Sequence, residues 1–257
     1  MRTWFITGTS TGFGRIMTEK LLAKGDRVAA TLRKPELLAE LHEQYGDNLW
    51  IEKLDVTDSK EVSKVVDAAF GAPDELSEEQ IRRQLDTNVV GSILVTRAVI
   101  PHLRAQGGGR ILQMSSMGGQ IALPGLCLYH ASKWAVEGFF ESVIQDVAAF
   151  KIEATLVEPA GAHTNFIGSI DNADPLEVYS DTIVGERRRA LASPNYKLPL
   201  SPEKAVDAMI ASVDVSPAPK RLTVGSGAYN LMHKALTERL ALLESQKDIA
   251  FGADYDE

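Results

Sequence analysis

Tyr129 and Lys133 stand four residues apart in a stretch that reads as helix, so their side chains share one face. A phenol with an ordinary pKa near about 10 exchanges protons poorly at neutral pH. A neighbouring ammonium favours the phenolate and lowers that pKa. Together the two side chains make a proton donor suited to carbonyl reduction, although such a pair also arises as an ordinary solvated couple on a helix surface. Ser116 precedes Tyr129 and follows a predicted strand, where the loops of open α/β sheets carry their sites. Its hydroxyl can hold a substrate oxygen against Tyr129. Asn88 follows Asp86 and Thr87 inside a long predicted helix. Asn is a poor mid-helix residue because its side chain competes for backbone hydrogen bonds. It reads either as the anchor of a proton-relay water or as a tolerated polar core residue.

A second cluster lies at the N-terminus. The first predicted strand ends in Thr7-Gly8-Thr9-Ser10-Thr11-Gly12-Phe13-Gly14, and a helix begins inside this turn. Glycines let the backbone approach a pyrophosphate, and the helix N-terminus offers free N–H groups and the positive end of its dipole. A glycine-rich turn alone is weak, but placement on strand one favours a dinucleotide site. The second strand ends at Leu32-Arg33. An NAD site would place a carboxylate near here for the ribose 2′-OH. Leu32 cannot serve, whereas the planar fork of Arg33 suits a 2′-phosphate, so the reading favours NADP(H) over NAD. The alternative is a solvated surface arginine. Asp55, in Leu54-Asp55-Val56, either accepts from an adenine amino group or simply starts the next turn.

The elements that position these residues alternate in the βαβ manner. Strands are predicted at Trp4–Thr7, Arg27–Leu32 and Leu49–Leu54, with helices over 13–24, Pro35–Tyr45 and 59–70 between and after them. The alternation then breaks. Phe70 to Leu76 leads directly to Ser77, which with Gln80 reads as a capping box, and a helix follows to about residue 105. Beyond it come a strand at Arg110–Met114, a helix over 129–149, a strand at Ile152–Val157, and a polar segment of loop and helix over 159–200. A helix from Ser201-Pro202 to about 213, a strand at Arg221–Val224 and a helix over 228–246 complete the chain. The sequence predicts an α/β, doubly wound parallel sheet in one domain over 1–257. Its cofactor half covers about 1–115 and its catalytic and substrate half about 116–257.

Bulk properties set the setting. The chain has 257 residues, 44% hydrophobic and 24% charged, ordinary for a globular protein. A net charge of −8 argues against nucleic-acid partners, which need an excess of Lys and Arg. The single cysteine, Cys127, forms no internal disulfide and fits a reducing, cytoplasmic compartment. No signal-peptide pattern and no stretch of 18 apolar residues is found, so no membrane association is expected.

Taken together these residues resemble the short-chain dehydrogenase/reductase family in its single-domain form. The Thr-Gly-x-x-x-Gly-x-Gly turn at 7–14 is similar to that family's cofactor motif, and Leu54-Asp55-Val56 to its adenine-side motif. Asn88, Ser116, Tyr129 and Lys133 match its catalytic tetrad. The resemblance implies a carbonyl–alcohol oxidoreductase in which Tyr129 is the general acid/base. Lys133 would lower its pKa and bind the nicotinamide ribose, Ser116 would orient the substrate, and Asn88 would hold a relay water. Gly8, Ser10, Thr11, Gly12, Phe13, Gly14, Arg33, Asp55 and Val56 are then cofactor contacts. Glu158-Pro159-Ala160-Gly161 and Thr164 resemble the segment bordering the nicotinamide, which adds Pro159 and Thr164 to that set. No metal is implied. The family's pairing through this helix and the preceding long one implies a homodimer or homotetramer.

Two features depart from the family pattern. Ala160 interrupts the usual Pro-Gly pair. More seriously, the central strand and the Asn-Asn-Ala-Gly motif that should follow the third helix are missing, and 70–73 runs through the gap. Such a strand is buried on both faces, so its loss must either bring strand 110–114 against strand one or distort the site. A non-catalytic relative that binds nucleotide or a partner, and a truncated inactive product, are therefore kept as alternatives. The substrate lid is expected over 160–200, with Phe166, Ile167 and Ile170 as apolar lining. With Leu123, Pro124, Leu126 and Leu128 at the mouth, the expected substrate is a bulky or apolar carbonyl compound.

Overall fold

The computed structural model describes residues 1–55, 77–162, 175–193 and 196–254, with the backbone alone for Gly12 and Phe13. The predicted helix 59–70, Val56, Thr164, Phe166, Ile167, Ile170 and the last three residues of the acidic tail lie outside them. The chain forms two compact units, residues 1–75 and 76–257.

In the first unit β1 (Thr3–Thr7), β2 (Arg27–Leu32) and β3 (Leu49–Lys53) form a parallel sheet in the order β1-β2-β3. The central strand is covered on both faces: Val28, Ala30 and Leu32 are buried on one, and Thr31 on the other. Helix α1 (Gly12–Ala23) brings Leu21 and Leu22 into this core, and α2 (Ala39–Tyr45), behind a 3₁₀ turn opened by Pro35, adds Leu41. Gly25, with φ +82°, follows α1 as expected of a helix end that turns into a strand.

The second unit opens with α3 (Glu78–Leu85). Its Ser77 hydroxyl accepts from the Gln80 N–H while the Gln80 side chain accepts from the Ser77 N–H, which is the predicted capping box. One π turn, Asp86–Val90, joins α3 to α4 (Gly91–Ala105), so the long predicted helix is broken at Asn88. A π turn re-aims side chains relative to a regular helix and recurs at functional sites.

Three parallel strands follow in the order β4-β5-β6: β4 (Gly109–Met114), β5 (Ile152–Pro159) and β6 (Arg221–Val224). Helix α5 (Cys127–Val147) connects β4 to β5 and buries Val136, Phe140, Val143 and Val147 at helical spacing. Phe140 packs with Ala154 and Leu156 of β5, and Ile111 of β4 lies against the same cluster. The polar segment after β5 contains α6 (Ile183–Ala192). Helix α7 (Pro202–Val213) is capped by Ser201 and opened by proline, α8 runs over Ser226–Glu244, and a short α9 closes the described chain at Lys247–Phe251.

The Rossmann-like alternation of parallel strands and helices is thus present, but the described strands fall into two three-stranded sheets. β1 and β4 each stand at the edge of their own sheet. The register of every ladder carries the strand ends that matter: Thr7 pairs with Thr31, and Met114 with Val157.

Phe140 is fully buried in the second unit. Phe140→Ala is expected to lower stability by about 3–5 kcal/mol, combining lost transfer free energy with a residual cavity. Urea denaturation with an unchanged m-value checks it.

Candidate active site

The first half of the site lies at the carboxyl end of β1 and β2. Gly8 sits at φ +68°, a conformation glycine adopts without steric cost. A Cβ at Gly14 would stand 2.5 Å from the Gly8 carbonyl oxygen, so only glycine lets the first turn of α1 close on the strand. Thr9 is fully buried. Its N–H and its hydroxyl both donate to the Thr31 carbonyl, at 3.3 and 3.2 Å, and tie the turn to β2. The motif reading passed over this residue, and the sequence held no sign of its role beyond a threonine between glycines.

Thr11 is the N-cap of α1 in extended conformation. It makes no side-chain capping bond, and no acidic residue lies in the first turn. The helix therefore presents uncapped N–H groups and an uncompensated positive end. Arg33 follows β2, is exposed, and makes no hydrogen bond or ion pair among the described residues. An uncapped helix start and a tight glycine turn fit the phosphates of a dinucleotide. Asp55 directly follows β3 and is half-buried.

The second half lies at the carboxyl end of β4 and on α5. Ser116 caps a 3₁₀ turn (Met117–Gly119), and its Oγ accepts from the Gly118 N–H at 3.0 Å. Tyr129 and Lys133 stand one turn apart near the start of α5, with the Lys133 Nζ 5.8 Å from the Tyr129 ring centroid. Lys133 Nζ donates to the Met114 carbonyl at 3.3 Å, across the end of β4. Asn88 Nδ2 donates to the Ser132 Oγ at 3.0 Å, and Ser132 donates to the Tyr129 carbonyl at 2.8 Å. All four tetrad positions therefore share one region of the second unit, with Ser132 joining Asn88 to the backbone of Tyr129. That fully buried serine was missed, although it lies inside the Tyr-x-x-x-Lys stretch.

The electrostatics differ from the expected balance. Burial raises the Tyr129 pKa above its ordinary value, and a hydrogen bond with Ser116 offsets only part of this. Burial likewise lowers Lys133, with the carboxylate of Glu137 opposing it. The lysine was expected to depress the phenol. Instead the desolvation common to both groups dominates, which favours the neutral phenol and the neutral amine.

A buried ionic cluster supports this region. Arg221 of β6 hydrogen-bonds Glu137 and Glu141 of α5 and Glu158 of β5, and Ser115 donates to Glu137. Glu137 and Glu158 are almost wholly buried. Burial raises the Glu158 pKa, and its bond to Arg221 pulls it back. Burial works against the Arg221 charge, but Glu141, Glu137 and Glu158 outweigh it and hold the guanidinium above its ordinary pKa. None of this was read from the sequence, because the partners lie 63 to 84 residues apart along the chain.

These features define a parallel α/β protein with a dinucleotide-type turn and a Tyr–Lys–Ser–Asn group. The sequence profile described as short chain dehydrogenase matches residues 2–72 and 70–174. An oxidoreductase of Botryotinia fuckeliana is 32% identical over 97% of this chain and 98% of its own. A short-chain dehydrogenase from Streptomyces avermitilis, solved by crystallography, is 31% identical, covers 99% of this chain and 100% of its own, and superposes with a TM-score of 0.63. An NADPH-dependent 3-dehydrocapnine reductase of Ornithobacterium rhinotracheale is 29% identical over 72% of this chain and 74% of its own. The chain belongs to the short-chain dehydrogenase family of oxidoreductases.

Replacing Arg221 by methionine leaves Glu137 and Glu158 buried without their cation. The expected loss is about 3–5 kcal/mol at pH 7. It should shrink as the pH falls, because protonation of Glu158, whose pKa burial raises, removes an unpaired buried charge. Urea melts at pH 7.5 and 5 check both the size and the sign.

Proposed function

We propose that this protein is an NADP(H)-dependent carbonyl reductase in which Tyr129 donates the proton to the carbonyl oxygen. The observation that carries the reading is the buried, neutral Tyr129, bonded to Ser116 and one turn from Lys133. A phenol whose pKa is raised stays protonated across the physiological range, which suits an acid more than a base. The protonated phenol is the form from which the reductive half of this reversible reaction starts.

The bound nicotinamide supplies the hydride. The protein's residues do the rest. Ser116 donates to the carbonyl oxygen and orients it toward Tyr129. As Tyr129 releases its proton, the Lys133 ammonium form stabilises the phenolate that develops. Asn88, through Ser132, holds the first turn of α5, while its own backbone carbonyl accepts from Ser92 at 2.8 Å. In the first unit the Gly8–Gly14 turn and the α1 N-terminus take the pyrophosphate, Asp55 and Val56 the adenine side, and Arg33 the 2′-phosphate. Pro159 and Thr164 border the nicotinamide. The preference for NADPH is supported by the exposed, uncommitted Arg33 and is the preference named for the Ornithobacterium relative. The two units act as one domain in this reading.

A bulky or apolar carbonyl compound is the substrate we favour, on the half-buried Leu123, Pro124, Leu126 and Leu128 before α5. A cytoplasmic homo-oligomer belongs to the same reading. Leu94 and Val95 of α4 and Trp134 of α5 are exposed, and no described helix is long and apolar enough to cross a membrane.

Tyr129→Phe should abolish NADPH oxidation with a panel of ketones and aldehydes while leaving NADPH binding, read by fluorescence, intact. In the wild type, kcat/KM for reduction should fall at high pH, first as Lys133 loses its proton below its ordinary 10.5 and then as Tyr129 loses its own above the ordinary 10.0, since both protons are needed. NADPH binding with no turnover over the whole panel would instead identify a non-catalytic relative.

Arg33→Ala removes the cation assigned to the 2′-phosphate. The KM for NADPH should rise about tenfold or more, by loss of a charge-assisted bond, with the KM for NADH unchanged. Steady-state kinetics with both cofactors decide it.

A further inference from the structure

We infer that His130 is a positioning residue that aims the Ser116 hydroxyl at the reacting oxygen by fixing the backbone of Gly118. The inference rests on the reductase reading above. His130 directly follows Tyr129 on α5, but its buried ring points away from solvent into the loop after β4. Two backbone groups hold it. The Leu123 N–H donates to Nε2 at 2.9 Å, and Nδ1 lies 2.9 Å from the Gly118 carbonyl oxygen. Because Nε2 accepts from an N–H, it carries no proton. The proton of the neutral ring is therefore on Nδ1, where it is donated to Gly118. The tautomer follows from the two backbone partners.

Across the Gly118 Cα, the N–H of the preceding peptide plane makes the next contact. The Gly118 N–H donates to Ser116 Oγ at 3.0 Å. With that lone pair occupied, the hydroxyl proton of Ser116 is directed away from the backbone. The partner in reach is Tyr129, whose pKa its hydrogen bond lowers. When a carbonyl compound is bound, its oxygen takes that place. The contacts run from the Leu123 N–H through the His130 ring to the Gly118 carbonyl, and from the Gly118 N–H to the Ser116 hydroxyl and the reacting oxygen. The two halves meet at the Gly118 Cα, so the coupling is one of position: the imidazole fixes the orientation of residue 118, and residue 118 fixes that of Ser116.

The packing permits no side chain in between. A Cβ on Gly118 would stand 2.9 Å from His130 Nδ1 and 3.1 Å from the Tyr129 ring. Residue 118 must be glycine for the imidazole and the phenol to flank its peptide. The neutral ring is also the form the site favours: burial lowers the His130 pKa, the Gly118 bond opposes this, and the positive charge of Arg187 on α6 adds to the lowering. His130 is not the sole anchor of the loop. Trp134 Nε1 donates to the Ile121 carbonyl at 3.4 Å, Arg239 bonds the Gln120 carbonyl, and Ile121 is buried against Ala228 and Met232. A change at His130 therefore tests orientation more than folding.

The experiment compares His130→Leu, which fills the space without a donor, with His130→Asn, whose amide restores a donor toward Gly118. Each is made in the wild-type and the Ser116→Ala backgrounds of the full chain. His130→Leu should lower kcat about tenfold, the size expected for one orienting hydrogen bond, with the KM for NADPH unchanged. His130→Asn should recover most of the loss. In the Ser116→Ala background His130→Leu should cost less than about twofold, because the two residues act as one unit. An equal loss in both backgrounds, or no loss in either, overturns the inference. So does a failure of His130→Asn to recover activity while its thermal melt matches wild type. Turnover that survives Tyr129→Phe overturns the reductase reading itself and this inference with it. A test free of activity is the imidazole ¹⁵N spectrum of the whole protein at pH 7.5. Nδ1 should appear protonated and Nε2 unprotonated, and the reverse assignment overturns the proposal.

Discussion

One cation under the second sheet holds the catalytic region together. Arg221, on the edge strand β6, reaches Glu158 on β5 and both Glu137 and Glu141 on α5. Charges buried in this way are stable only while each has its partner, because the desolvation cost exceeds what any single pair returns. Glu137 in turn accepts from Ser115, the neighbour of Ser116, and lies one helical turn beyond Lys133. A single guanidinium thus fixes the height and rotation of α5 against the strand end that carries Ser116. The apolar contacts of Phe140 and Val136 on Ala154 and Leu156 supply the bulk of the packing. The ionic cluster supplies the register.

That register makes the chemistry local. Tyr129, Lys133, Ser132 and His130 come from one helical stretch, and Ser116 and Gly118 from one turn, so few degrees of freedom remain between acid and orienting hydroxyl. Catalysis by positioning is sensitive to displacements of about 1 Å. A helix pinned at Arg221 and a loop pinned by His130, Trp134 and Arg239 meet that demand without the cofactor half of the chain. The first unit solves a separate problem with separate means: Thr9 and Gly14 close a turn that leaves the α1 N–H groups unspent. The π turn at 86–90 does for Asn88 what a regular helix would not. It lets the backbone carbonyl take the Ser92 hydroxyl while the side chain reaches Ser132.

β1 and β4 each stand at the edge of their described sheet, and the family profile matches in two pieces that overlap at residues 70–72. Every residue of the Ser116–Tyr129–Lys133 group lies beyond that overlap, in one compact unit.

What the sequence determined was local and periodic. The glycine turn, the capping box at Ser77 and the apolar spacing of α5 were all legible, because each depends on residues a few positions apart. The tetrad was legible through its spacing and its resemblance to a family. What only the tertiary structure decided was the state of those residues. Burial sets the neutral form of Tyr129 against the expected effect of Lys133. Arg221 finds its carboxylates across three elements, and the backbone of a distant loop chooses the tautomer of His130. Desolvation and hydrogen-bond partnership are properties of surroundings assembled from remote segments, and no short pattern along the chain encodes them.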